Sequence, residues 1–244
     1  MEYWLNAKPE NKEEFEQQVK EVCEVYHQAT ELEKAGIHTI STDEKTGIQA
    51  LERAAETKPM RPGLIEKQEY EYERHGTLCL IANFDVVTGK IITPSLLATR
   101  TEEDFSAHIA QTIATDKDGG WVFIADNLNI HQSEALVRLI AKTCNITDPL
   151  GIKGKEGILK SMETRASFLS DPLHRIRFVY TPKHTSWLNQ IEIWFSILVR
   201  RLLKRASFSS LDDLKNRILA FITYFNQTMA KPFKWTYKGR PLNV

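Results

Sequence analysis

The chain has 244 residues, 42% hydrophobic and 26% charged, an ordinary globular balance with length enough for a substantial core. Its formal net charge of zero is a cancellation. Residues 1–126 carry 13 Lys+Arg against 24 Asp+Glu, and residues 127–244 carry 19 against 8, so the basic second half keeps nucleic acid open as a partner. No apolar run approaches the roughly 20 residues that span a bilayer, and Met1-Glu-Tyr-Trp4 is not the basic start of a signal peptide. The expectation is a cytoplasmic protein with no membrane partner. Cys23, Cys79 and Cys144 are far apart, odd in number and without CxxC spacing, and read as reduced thiols.

In chain order, Phe15, Val19, Val22, Tyr26 and Ala29 recur at helical spacing and predict a helix over Glu13–Lys34, ended by Ala35-Gly36. Ile37 to Leu51 reads as two strands, or a strand and its return, about a turn containing Gly47, with Asp43 where the first runs out. A polar stretch over Glu66–Arg74 follows. Thr77–Asp85 and Lys90–Leu97 predict a hairpin turned at Thr88-Gly89, where turn chemistry accounts for Asp85. Thr101-Glu-Glu-Asp104 is a capping-box-like start to a helix carrying Phe105, Ile109 and Ile113.

Trp121 to Ala125 is an unbroken apolar run, the pattern of a strand buried on both faces. It ends on Asp126, which fits two readings: a turn or helix cap, and a catalytic or metal-binding carboxylate at the carboxyl end of a central strand. Ser133 caps the next predicted helix. Residues 145–172, with Lys153, Lys155, Lys160 and Arg165 among glycines, read as a basic loop-and-short-helix insertion. Ile176–Tyr180 is the last predicted strand. Trp187–Leu203 predicts one apolar helix, and Ser210-x-x-Asp213 caps a final one. The tail Pro232–Pro241 is basic and aromatic.

Antiparallel strands leading into strand–helix–strand units point to an α/β, ribonuclease-H-like mixed sheet flanked by helices. Within the Trp187 helix, Glu192 shares a face with Leu188, Phe195 and Val199, so it needs a positive partner: a side chain such as Arg201 or Lys183, or a cation shared with Asp126 and Asp43. Three carboxylates with two Mg²⁺ or Mn²⁺ ions make an oxygen-rich site for in-line phosphoryl transfer.

These residues resemble the catalytic domain of mariner-like DDE transposases of bacterial insertion sequences. The resemblance is carried by Ser41-Thr-Asp-Glu-Lys-Thr-Gly-Ile-Gln-Ala-Leu-Glu-Arg53, Tyr72-Glu-Arg-His-Gly-Thr77, Ala125-Asp-Asn-Leu-Asn-Ile-His131, Tyr180 to Trp194 and Lys231-Pro-Phe-Lys-Trp-Thr-Tyr237. It implies that Asp43, Asp126 and Glu192 are the metal-binding catalytic acids. It also implies two-metal nicking of DNA at element ends, strand transfer into target DNA, and a homodimer. Two departures stand out. The second and third acids lie 66 positions apart, a wider interval than the family's usual one, and the surplus falls on the basic insertion, expected to contact DNA or a partner copy. The family's amino-terminal helix-turn-helix domains do not precede the first predicted helix.

The division expected is a helical arm or linker over 1–35 and a catalytic domain over 36–244. Lys183, His184, Arg200, Arg201, Lys204 and Arg205 are candidate DNA contacts, although a solvated helix end also accounts for the last four. Trp187 fits a base contact or the core, and His131 resembles a family position after the second acid but fits a surface or capping role equally well. Two alternatives stay open: a catalytically silent DNA-binding or dimerising fragment that regulates full-length transposase, and a general ribonuclease-H-like nuclease.

Overall fold

The alternation of side chains along the strands sets the architecture. In the computed structural model, which describes residues 11–67 and 69–238, β1 (Ile37–Arg53), β2 (Tyr72–Asp85), β3 (Ile91–Leu97), β4 (Gly120–Ala125) and β5 (Ile176–Tyr180) form one sheet in the order β3-β2-β1-β4-β5. The first ten residues of the expected arm, Gln68 of the polar stretch and 239–241 of the tail lie outside the described residues. β1–β2 and β2–β3 pair antiparallel, whereas β4 lies parallel to both β1 and β5. This is the ribonuclease-H-like mixed sheet that the element order anticipates.

Leu80, Ala82, Phe84, Val122 and Ile124 face one layer, made by α1 (Lys12–Lys34), α5 (Ile191–Leu198) and α6 (Leu211–Thr228). Cys79, Ile81, Trp121, Phe123 and Ala125 face the other, made by α2 (Glu102–Ile113), α3 (Glu134–Thr143) and α4 (Met162–Leu169). The continuous apolar run of β4 is therefore the signature of a strand covered on both sides. Local capping works as the sequence reads: Thr101 and Asp104 close a capping box on α2, and Ser133 accepts the Leu136 N–H on α3. Gly36, with φ +76°, ends α1 in the left-handed conformation. Asp85 accepts from the Val87 and Thr88 amides and the Thr88 hydroxyl, which makes it a turn residue. α1 buries Val19, Val22, Cys23 and Ala29 in the core.

Three expectations are corrected. The segment from Ile37 to Leu51 lies within one 17-residue strand, Ile37–Arg53, so Asp43 is in mid-strand and not where a strand runs out. Gly47, at φ +68°, sits in a register shift between Lys45 and Ile48, so the left-handed residue is absorbed as a bulge while β2 stays paired down to Tyr72. The Trp187–Leu203 helix is interrupted: a 3₁₀ turn covers Ser186–Leu188, α5 covers Ile191–Leu198, and Val199–Leu203 is a π turn closed by Lys204 N–H to Val199 O at 2.9 Å. The break follows from Asn189, whose extended backbone is pinned by its own side chain to β1. The insertion is also only partly a basic surface. Lys155 and Lys160 are exposed, but Lys153 pairs with Glu102, and Arg165 is buried.

Candidate active site where the central strands part

Parallel register brings two of the predicted acids together. The last registered pair of β1 and β4 is Ser41 with Ile124. Two residues further on, with the same facing because alternation has period two, come Asp43 and Asp126, on strands about 4.8 Å apart. Ser41 fixes the third element: its Oγ accepts the Ile191 N–H at 2.8 Å and donates to the Asn189 side chain. Asn189 Nδ2 donates to Thr42 O at 3.0 Å and to Asp43 Oδ2 at 3.3 Å. From α1, Tyr26 OH donates to Leu188 O at 2.9 Å and accepts from Gln190 N–H at 3.2 Å. These bonds seat the first turn of α5, and with it Glu192, beside the point where β1 and β4 part.

The charges register this proximity. Burial pushes the Asp43 carboxyl up to about 7, and the neighbouring Asp126 charge adds to the rise. Glu192 is half-buried and also raised, by burial first, with Lys45 opposing and Asp126 reinforcing the shift. The positive neighbour of Glu192 is thus Lys45, which also lies 5.9 Å from the Phe195 ring centre, rather than Arg201 or Lys183. Asp126 behaves differently. Burial works to raise it, but the His131 hydrogen bond and charge, the Leu128 N–H and Arg100 together hold it below the usual carboxylate range. A site with one ionised acid flanked by two reluctant ones is short of positive charge, and its all-oxygen donor set matches hard divalent cations.

Behind Asp126 stands a pair that sequence reasoning left aside. His131 is fully buried, which removes the surface reading. Its Nδ1 lies 2.7 Å from Asp126 Oδ1 and its Nε2 lies 2.8 Å from Glu44 Oε1. Burial favours the neutral ring, but these two partners outweigh it and raise His131 to about 10. The loop holding His131 is tied down in turn. Tyr180 OH donates to His131 O, Asn127 Nδ2 to Thr181 O, and Arg165 Nε to Gln132 O. The available signal was the run Thr39, Ser41, Thr42, Asp43 and Glu44, polar residues that are all buried in one strand.

The remaining candidates lie on the surface. Lys183 and His184 are exposed between β5 and α5, with His184 held at φ +64°. Trp187 is 53% exposed, so it is not core, and its ring meets Tyr237 edge-on. Arg200, Arg201, Lys204 and Arg205 are exposed on the π turn and just beyond it. Among the described residues none of these four forms an ion pair.

A protein-family model for DDE superfamily endonucleases matches residues 38–215. The chain belongs to that family. Among solved structures it is similar to the Mos1 mariner paired-end complex with Mn, with a TM-score of 0.54 and 14% identity over 91% of this chain and 58% of that one. A pre-cleavage Mos1 transpososome gives 0.53 and 13% over 91% and 58%. The isolated catalytic domain of Mos1 mariner transposase gives 0.51 and 13% over 90% and 85%. At such identities the likeness is one of fold. This DDE endonuclease thus spans 58% of the Mos1 chain of the paired-end complex and most of the Mos1 catalytic domain. No curated protein matches it by sequence. No helix among its described residues is long and apolar enough to cross a membrane.

Proposed function

We propose that the chain is the catalytic domain of a mariner-like DDE transposase from a bacterial insertion sequence, nicking DNA at element ends and joining them to target DNA. The observation that carries this reading is the juxtaposition of Asp43, in β1 just beyond its pairing with β4, and Asp126, at the end of β4, with the Asp126 charge felt by both Asp43 and Glu192. Asp43, Asp126 and Glu192 are assigned as the acids that hold two Mg²⁺ or Mn²⁺ ions. Those ions would supply Lewis-acid activation of a water or a 3′-hydroxyl and neutralise charge on the leaving oxygen. The chain's own part is to set the three carboxylates rigidly, one in β1, one directly after β4 and one on a helix pinned to β1, and to keep solvent from Asp43.

The catalytic unit is placed at residues 36–244, with the helical segment before it packed on the same core. Phosphate contacts are assigned to Lys183, His184, Arg200, Arg201, Lys204 and Arg205, five cations and a histidine that lie before or after α5. A homodimer, association with full-length transposase and action at the cytoplasmic nucleoid complete the proposal.

Purified protein incubated with Mg²⁺ or Mn²⁺ and matching element-end DNA should nick it. Asp126→Ala should remove that activity, and undiminished nicking by this variant would sink the assignment. An RNA–DNA hybrid should not be cut in place of element ends. Replacing Arg200 and Arg201 together by Gln should weaken binding and lower the slope of log affinity against log salt by about one for each phosphate that is no longer neutralised.

A further inference from the structure

Phosphoryl transfer by three acids leaves one buried ionic group without a task, the pair Glu44 and His131. Their side chains are 1% and 0% exposed. The imidazole lies with Nε2 against Glu44 Oε1 and Nδ1 against Asp126 Oδ1 and, at 3.1 Å, the Asp126 carbonyl. Its ring rests 4.4 Å from that of Phe105, and the other Glu44 oxygen stands 3.7 Å from Arg100. Such a ring cannot turn without giving up a carboxylate partner on each side.

We propose that His131, backed by Glu44, is the positioning residue that presents Asp126 to a divalent cation. The inference rests on the reading of Asp126 as a metal-binding acid. Asp126 Oδ1 already receives His131 Nδ1 and the Leu128 N–H. That fixes the carboxylate plane and leaves Oδ2 as the oxygen open to a cation. Glu44 does for His131 what His131 does for Asp126: it takes the far ring proton and holds the near one in place. This is the outer-shell arrangement of metal sites, with a carboxylate here standing where the metal–imidazole bond would otherwise be.

A rival arrangement exists, because single ligand atoms of Asp43, Glu44 and His131 all lie within 4.8 Å of one another. For His131 to become a ligand itself, however, a ring nitrogen must abandon Glu44 or Asp126. Leaving Glu44 would reduce a carboxylate whose side chain is 1% exposed to its 3.7 Å contact with Arg100. The geometry therefore favours His131 behind the ligand.

Mn²⁺ titration of the intact protein at pH 8, read by calorimetry, tests the proposal together with pulsed electron paramagnetic resonance of the bound ion. His131→Asn should raise the Mn²⁺ dissociation constant roughly 10- to 100-fold. Glu44→Gln keeps the shape and an acceptor for Nε2, and should raise it severalfold. Leu136→Ala, a core truncation in the adjacent helix layer, should lower Tm yet leave the constant within about twofold. The wild-type spectrum should show no coupling to an imidazole nitrogen. A directly coordinated nitrogen overturns the proposal even where His131→Asn fails to fold. So does unchanged Mn²⁺ affinity in His131→Asn or Glu44→Gln while Asp126→Ala loses binding, which leaves the phosphoryl-transfer reading intact. Should the wild-type chain neither bind Mn²⁺ nor nick DNA, that underlying reading fails and this one with it.

Discussion

Two groups of acids with a histidine lie along the β1–β2 ribbon, and they differ in everything except composition. At one end Asp43, Glu44 and His131 approach closely beside Asp126, and at the other Glu52, Glu73 and His75 do the same. In the second group the Glu52 and His75 side chains, joined at 2.6 Å, are 42% and 23% exposed, and Glu73 is exposed. Water screens those charges, so their mutual energies are about 1 kcal/mol or less. In the first group Asp43 is 8% exposed and its carboxyl is driven up to about 7. Proximity of acids is common on strands. What separates a candidate site from a solvated patch is that burial leaves charge that only an added cation or proton can settle.

The sharpest way to break the contrast is Asp43→Asn. Nicking should fall on the order of a thousandfold or more, the consequence of about 4 kcal/mol of lost transition-state stabilisation, as measured by single-turnover cleavage of end DNA. A rate within tenfold of wild type would remove Asp43 from the chemistry.

Metal-free stability should show the reverse sign. Asp43 has a folded pKa of about 7 against an ordinary 3.8, so above pH 7 the unfolded chain ionises this carboxyl at no penalty and the folded one does not. The penalty is absent below about pH 4, grows between 4 and 7 and is complete above 7, where it reaches about 4 kcal/mol. His108 titrates oppositely. Burial lowers it to about 3, so its penalty is absent above pH 6.5 and grows as the pH falls. Urea unfolding of Asp43→Asn against wild type isolates the first effect, because both carry His108. The variant should be more stable at pH 8 and nearly equal at pH 4.5, and a difference independent of pH would refute the assignment of strain to Asp43.

Asn189→Ala should cost about 1–3 kcal/mol in the same assay, because it leaves Thr42 O and Ser41 Oγ short of a buried partner. It should also slow nicking, since the seat of Glu192 loosens. The smallest effect belongs to the other end of β1. Glu52→Gln should change stability by no more than about 0.5 kcal/mol and leave nicking unchanged. A large loss of activity there would mean that the exposed cluster, too, participates.

Much of this was legible from local pattern. The uninterrupted apolar run of β4, the caps at Thr101, Ser133 and Ser210, and the placement of Asp126 directly after a core strand all follow from short-range chemistry, in which a residue's neighbours within one turn or one pleat decide its state. Other features were not local. Whether Gly47 turns the chain or bulges it depended on the length of β2, far along the sequence. Whether Trp187 to Leu203 ran as one helix depended on Ser41 and Tyr26 capturing Asn189 and Gln190.

By itself, then, the sequence determined most of the elements, their order and the three acids worth naming, because periodicity and capping are written in adjacent residues. Only the tertiary structure decided that Asp43 and Asp126 stand side by side, that Lys45 rather than Arg201 faces Glu192, that Arg165 is buried support rather than surface charge, and that His131 lies sealed between Glu44 and Asp126. Register and burial are properties of chain segments that meet from far apart in the sequence, and no short window along the chain contains both partners.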